Sequence, residues 1–412
     1  MIPDGWMIDK LGDLVDIRIG GTPSRSNNAY WAEKNDGFPW VAISDLKNQS
    51  IIKTTKERIT ELGINNSNVK LIPFGKVIMS FKLTVGKVAK AGINLYTNEA
   101  IAAFFIHNNQ VLDNDFLLYI LPSSVNQIKT DQAVKGMTLN KKKLADIPII
   151  LPPLPEQKKI ADILSTLDQA IQATQKVIDQ TEKVKQGLLQ ELLTKGIGHT
   201  EFKQTELGEI PDGWKVVRFG SKVSLMGGYA FSSKDATPYG ARWLKIANVS
   251  HNSIKWDKIS YLPMKYLESY KEYVLVNGDI VIAMTRPILS KILKIARITE
   301  RDSSSLLNQR VGKFIFNEDT IPLFVFYLVQ GNQFINNIES KIYGTDPPNI
   351  SSSMIESFHV AFPTLPEQKQ IAEVLSSVDD SIQKAKDKKS QLEQVKKGLM
   401  QDLLTGKVRV KV

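Results

Sequence analysis

Residues 151–164 read LPPLPEQKKIADIL, and residues 362–375 read FPTLPEQKQIAEVL. Aligned on Leu154 and Leu365 without gaps, the match continues to KQGLLQELLTKGI against KKGLMQDLLTGKV, with about half of roughly 44 positions identical, which makes chance a poor explanation. Each copy opens as a helix does. Pro155 and Pro366 suit the first turn, where a missing N–H breaks no bond, and Glu156 and Glu367 stand at the positive end of the helix dipole. Gly196 and Gly406, just after LLT, supply C-terminal stops.

Between these limits the apolar residues of the second copy (Ile371, Leu375, Val378, Ile382, Ala385, Leu392, Leu399 and Leu403) step by four and three. The first copy repeats the seam with Ile160, Leu164, Leu167, Ile171, Ile178, Leu188 and Leu192, interrupted by Thr174 and Thr181. A helix of about 40 residues is about 60 Å long, more than the width of a small domain, so each is expected to take the other as its partner. The first carries the chain from one body to the next and the second starts there, which predicts an antiparallel coiled coil. The expected result is two bodies held apart by a two-helix rod, with the C-terminus returning towards the first body. Gly187 and Gly398 sit at matching places inside the helices, where glycine costs about 1 kcal/mol relative to alanine. They predict close helix approach, around Ala372 and Ala161 respectively; a tolerated surface glycine is the plainer reading.

A second pair of anchors precedes the helices, IPDGW at residues 2–6 and again at 210–214. Trp6 and Trp214 follow a Pro-Asp-Gly turn and read as core anchors. Fainter echoes fall between in order: WVAISDL with WLKIANV, PFGKVIMS with VNGDIVIAM, NEAIAAF with NQRVGKF. Rich in β-branched and aromatic residues beside Gly, Asn or Pro, they read as strands of a mixed body. The fold class expected is α+β, two pseudo-repeated globular domains separated by two long helices. Its boundaries are 1–152 for the first body, 153–197 for the first helix, 198–362 for the second body, and 363–412 for the second helix and tail.

At 412 residues, 42% hydrophobic and 23% charged, the chain has the composition of a folded soluble protein with room for two cores. Its longest apolar run, IPLFVFYLV from Ile321, is about half of what spans a bilayer. The N-terminus has neither a basic leader nor an apolar segment, so a cytoplasmic location and no membrane partner are expected. Without cysteine, thiolate chemistry and cysteine metal sites are excluded, and His107, His199, His251 and His359 are scattered without ligand spacing. No catalytic residue and no metal site are therefore assigned. A net charge of +10 favours a polyanionic partner without proving one.

Motifs suggestive of chemistry fall short. Asp346-Pro347-Pro348 is similar to the tetrad of adenine methyltransferases, but Asn349 replaces the aromatic and no glycine-rich cofactor turn accompanies it. GGTPSR and MGGYAFSSK lack the Gly-Lys-Ser/Thr ending of a phosphate loop. They do place Arg25, Ser26, Tyr229, Ser232, Ser233 and Lys234 on loops, where donors for DNA would stand. Lys82, Thr84 and Lys87 in SFKLTVGK, Arg286 and Lys291 in MTRPILSK, and Thr345 complete the candidate DNA-binding set. A solvated turn with no partner is the plainer reading for each singly.

The combination of a Pro-Asp-Gly-Trp head, a variable body and an LPEQ-led long helix ending in GLLQELLTKG or GLMQDLLTGK, all twice over, resembles the DNA-specificity subunit of type I restriction-modification systems. The likeness covers essentially the whole chain. GDIVIAMTR, LNQRVGKF and GYAFSSK are also similar to framework segments of that family's target-recognition domains. The first body departs at the equivalents: GKVIMSFK lacks the acidic residue of GDI, and Glu99 stands where the second body has Gln309.

The resemblance implies that each body is a target-recognition domain reading one half of an asymmetric, bipartite double-stranded DNA site. The coiled coil would set the spacer and dock two modification (methyltransferase) subunits carrying S-adenosylmethionine. Two restriction (translocase and nuclease) subunits would supply ATP- and Mg-dependent work, and this chain would bind no cofactor. The rival reading is a coiled-coil scaffold whose bodies bind proteins without reading DNA. An enzyme with an unrecognised site and a methylation-only complex are further variants.

Overall fold

A computed structural model of the chain describes residues 3–33, 36–46, 51–131, 139–344 and 347–411. It divides into two compact units: residues 1–176 with 386–412, and residues 177–385. Each unit therefore contains one body, the first half of the long helix that leaves it, and the second half of the other long helix. The expected boundaries treat body and helix as separate segments, whereas packing joins them.

In the first unit the main sheet runs Val15–Ile19, Ile101–Ile106, Val77–Ser80, Val88–Ala91, Ile51–Ile52. The second repeats the first four places with Val223–Gly227, Val311–Phe316, Ile280–Ala283 and Ile295–Arg297. A second four-stranded sheet accompanies each, and in both a tryptophan-bearing strand (Phe38–Val41 or Ala241–Leu244) lies parallel to a short neighbour. Each segment read as an echo contributes to a strand, although WVAISDL is strand only at Trp40 and Val41 and turns into a 3-10 helix at Ile43–Asp45, and WLKIANV is strand only at Trp243 and Leu244. Alternating Val, Ile and Phe side chains of the central strands fill the cores, so the β-branched runs and the burial pattern agree.

The head strand of each body, Met7–Lys10 or Lys215–Arg218, pairs antiparallel with the strand that leads into the long helix, Pro148–Leu151 or His359–Phe362. This pairing brings the Pro-Asp-Gly-Trp turn onto the helix start. Trp6 Nε1 donates to Glu156 Oε2 at 3.1 Å, and Trp214 Nε1 to Glu367 Oε2 at 2.9 Å. Glu156 also takes a bidentate pair from Arg409, both contacts 2.8 Å, whereas Glu367 accepts from Ile197 N–H and faces His199 Nε2 at 2.8 Å. The next residue does equal work: the Gln157 amide bonds the Val111 and Pro152 carbonyls and the Asp113 N–H, and Gln368 does the same with Pro363, Asp319 and Ile321. The glutamate and glutamine of LPEQ thus fasten head and body to the helix, beyond their favourable place on the dipole.

The long helices are Leu154–Leu192 and Leu365–Leu403. Within the first unit Ile160, Ala161 and Leu164 share a core with Leu403 and Leu404; within the second, Ile371, Ala372 and Leu375 share one with Leu189, Leu192 and Leu193. Asp168 pairs with Lys396 in one unit and Asp379 with Lys185 in the other. In each unit the start of one helix lies against the end of the other, antiparallel as expected. Gly196 (φ +64°) and Gly406 (φ +71°) end the helices, and a Cβ on Gly406 would lie 2.2 Å from Pro3 Cγ, so both the backbone and the space require glycine.

Three readings of the helices change. Thr174 is buried rather than an interruption, its hydroxyl donating to the Ala170 carbonyl at 2.8 Å, so the seam continues through it. Leu189 is buried where Leu188 was expected to lead, and Lys185 fills a seam position as a buried ion. A Cβ on Gly187 or Gly398 would meet nothing within 4 Å, so neither glycine serves close helix approach. Among the described residues no helix is long and apolar enough to cross a membrane.

Candidate nucleic-acid interface

Three connections meet at one end of each main sheet. In the first body these are the loop after Val15–Ile19, the loop after Val77–Ser80 and the turn before Ile101–Ile106. Gly20 N–H donates to the Ile101 carbonyl at 3.1 Å, Gly21 N–H to Thr97 at 2.9 Å and Phe81 N–H to Ala100 at 2.9 Å. The second body repeats the frame: Gly228 N–H to Val311 at 3.1 Å, Tyr229 N–H to Leu307 at 3.0 Å and Met284 N–H to Arg310 at 2.9 Å. Asn98 and Asn308 shape the third turn identically, each side-chain oxygen accepting the N–H two residues on. A Cβ on Gly20 would fall 2.2 Å from the Thr97 carbonyl oxygen, and one on Gly228 2.4 Å from that of Leu307, so the paired glycines are set by backbone contact.

On this shared frame the side chains differ. In the first body Arg25 makes a bidentate pair with Glu57, Nη2 to Oε2 at 3.1 Å, and lies 3.7 Å above the Trp31 ring. Ser26 bonds Ser24 at 2.8 Å on the exposed loop. Lys82 is half-buried beside the Phe81 ring, while Thr84 and Lys87 are exposed on the second loop. In the second body the Tyr229 ring makes tilted contacts with Phe231, Tyr270 and Tyr273, and Ser232, Ser233 and Lys234 follow it, exposed, with Ser232 capping a short turn. Arg286 and Lys291 are exposed on the second loop. Thr345 lies outside the described residues. The candidates therefore gather on two of the three connections in each body.

The third connection carries residues that sequence reasoning noted only as a departure. Glu99 and Gln309 occupy the same place in the Asn-led turn, and Arg310 follows Gln309. Glu99 accepts the Thr22 hydroxyl, and that bond, against some burial and helped by Lys82 and Arg25, holds its carboxyl below the usual range. An ionised acid amid cations can accept from a base amine while the cations face phosphates. The signal was present in NEAI against NQRV, but only the hydrogen-bond frame places Glu99 and Gln309 at the same sheet end as the other two loops. Two exposed leucines, Leu83 and Leu289, also stand on the second connection and carry no sequence signal of their own. Among the described residues no group of three or more His, Asp or Glu side chains is placed to hold a metal ion.

Duplicated loop clusters on a duplicated frame, each fastened to a long helix, define a protein that presents two different surfaces of one design. The chain belongs to the type I restriction modification DNA specificity family, whose domain matches residues 3–183 and again 211–394. It is 34% identical to the type I restriction enzyme MjaVIII specificity subunit of Methanocaldococcus jannaschii, over 100% of this chain and 94% of that protein. It is also 35% identical over 176 residues, 42% of this chain and 29% of the relative, to the EcoAI specificity subunit of Escherichia coli. Its fold matches the crystal structure of a type I restriction-modification S subunit from M. genitalium with a TM-score of 0.61 at 15% identity, covering 98% and 96% of the two chains.

Proposed function

We propose that the two loop clusters read the two halves of an asymmetric, bipartite DNA sequence. The observation that carries this reading is the identical hydrogen-bond frame around unlike side chains: Arg25, Lys82 and Glu99 on one, Tyr229, Arg286 and Gln309 on the other. Two surfaces of one architecture with different donors and acceptors suit two half-sites of different sequence. The cations fix register on phosphates, and the remaining polar groups read base edges.

The long helices set the unread spacer between the halves and dock two modification subunits. Those partners hold S-adenosylmethionine and methylate adenine, while two restriction subunits use ATP and Mg; this chain is the non-catalytic address of the complex, working in the cytoplasm.

Mapping methylated adenines in the host genome tests the reading. A single bipartite, asymmetric motif that disappears on deletion of this chain is expected. A protein-binding scaffold would leave methylation in place, and its complex would show little loss of DNA affinity as salt rises.

A further inference from the structure

The second connection of each body carries a largely exposed leucine. Leu83 is 92% exposed and Leu289 71% exposed. Both stand on the link between equivalent strands, Val77–Ser80 to Val88–Ala91 and Ile280–Ala283 to Ile295–Arg297.

Both links are also conformationally costly. Leu83 has φ +60° at the apex of a three-residue turn closed by Thr84 N–H to the Lys82 carbonyl at 2.7 Å, a strained form for a side chain of this size. Leu289 abuts a two-residue hairpin turn in which Ser290 and Lys291 have φ +52° and +62°, where Asn or Gly is the usual occupant.

The bases of the links are well braced. Ser80 N–H to the Lys87 carbonyl and Gly86 N–H to the Ser80 carbonyl, both at 2.9 Å, close the first; Lys294 N–H to the Pro287 carbonyl at 2.7 Å closes the second. An exposed leucine in or directly beside a positive-φ turn, on a hydrogen-bonded base, is a feature that folding alone does not favour, and it occurs on the same connection of two bodies whose loop sequences otherwise differ. Lys82 and Lys87 flank one tip, and Arg286 and Lys291 the other, which matches a polyanion on both sides of the leucine.

We propose that Leu83 and Leu289 are apolar wedges, each entering the base stack of the half-site that its body reads. The inference rests on the DNA-reading function. A leucine between two bases partly unstacks them and bends the duplex, while the flanking cations hold the phosphates of the opened step. Each half-site would then contain one step chosen for how easily it opens, not for its base edges.

The test uses the full-length chain co-purified with its modification subunits, and duplexes carrying the mapped site with 2-aminopurine at one position at a time, away from the methylated adenine and its neighbours. One step in each half-site is expected to brighten on binding. Leu83→Ala should abolish the signal in one half-site and spare the other, and Leu289→Ala should do the reverse. Neither should change the slope of affinity against salt, whereas Lys82→Ala should reduce it.

Absence of any brightened step in a bound complex overturns the wedge and leaves DNA reading standing. So does a signal that persists in both variants, or a changed base preference without unstacking, which would mark a shallow contact in the groove. Loss of the modification subunits from either variant would assign the leucines to a protein contact and overturn the proposal. A wild-type complex that fails to bind the site overturns both readings. Both side chains are exposed, so unchanged thermal melts of the variants are expected.

Discussion

Lys185 Nζ lies 2.6 Å from Asp379 Oδ1, and the Tyr327 hydroxyl donates to the other oxygen of the same carboxylate at 2.9 Å. The first unit repeats this arrangement with Lys396, Asp168 and Tyr119, the hydroxyl bond again 2.9 Å. Asp168 and Asp379 are one repeat apart, as are Lys185 and Lys396, by the same offset that separates Leu154 from Leu365. Each triad ties the start of one long helix, the end of the other, and a body helix in a single hydrogen-bonded group.

Removing the lysine from such a group leaves a carboxylate without its cation, held by the tyrosine hydroxyl. Lys185 retains 6% side-chain exposure and Asp379 29%, so Lys185→Met should destabilise the protein by about 2–3 kcal/mol, below the range for a fully enclosed pair. Urea denaturation checks this, and a change within about 0.5 kcal/mol would mean that desolvation offsets the pair.

The triads and the Trp-Glu contacts also predict two limbs of pH dependence. Burial, then the charge of Asp379 and the hydrogen bond to it, push the Tyr327 hydroxyl above its usual range, and Asp168 acts likewise on Tyr119. The unfolded tyrosines ionise near pH 10 while the folded ones stay neutral, so this contribution is complete below about pH 10 and is lost as pH rises further. Tyr327→Phe should flatten the alkaline limb.

Burial alone would raise Glu156, but hydrogen bonds from Arg409 and Trp6 and the Arg409 charge prevail and lower it. Its contribution is present above about pH 4.3 and is lost as pH falls through the depressed folded value. Tryptophan emission followed through acid titration should report that loss, with Arg409→Gln moving the transition to higher pH.

Glu99→Gln converts the first body's turn to the second body's chemistry. A carboxylate accepts from the cytosine amine, whereas a carboxamide suits adenine, each correct pairing being worth about 1–3 kcal/mol of discrimination. The altered motif should appear in the methylome at one position of one half-site. Changes in both halves would separate Glu99 from direct reading.

Gly187→Ala and Gly398→Ala should each stabilise the isolated chain by about 0.5–1 kcal/mol, because the added methyl meets no neighbour and helical alanine is favoured. Thermal denaturation of the single and double variants checks this. Loss of stability would restore close packing at these positions.

Much of this architecture is legible in one dimension. The Pro-Glu openings, the Gly196 and Gly406 stops and the four-three spacing define two long helices, because helix periodicity and capping depend on neighbours a few residues away. The paired echoes announce two related sheets for the same reason: alternation and β-branching act locally.

What spacing could not reveal is which distant groups meet. Lys185 looks like a surface cation until the facing helix places Asp379 beside it, and Glu156 looks like a dipole partner until strand pairing brings Trp6 onto it. Glu99 joins the loop cluster only because three separate connections are hydrogen-bonded at one end of a sheet. The duplication, the long helices and the strands can be read from the residues in order, since these follow from local propensity and repeated pattern. The buried ion pairs and the composition of the loop clusters emerge only in the folded chain, because a hydrogen bond between distant residues depends on strand register and helix packing, which no local pattern encodes.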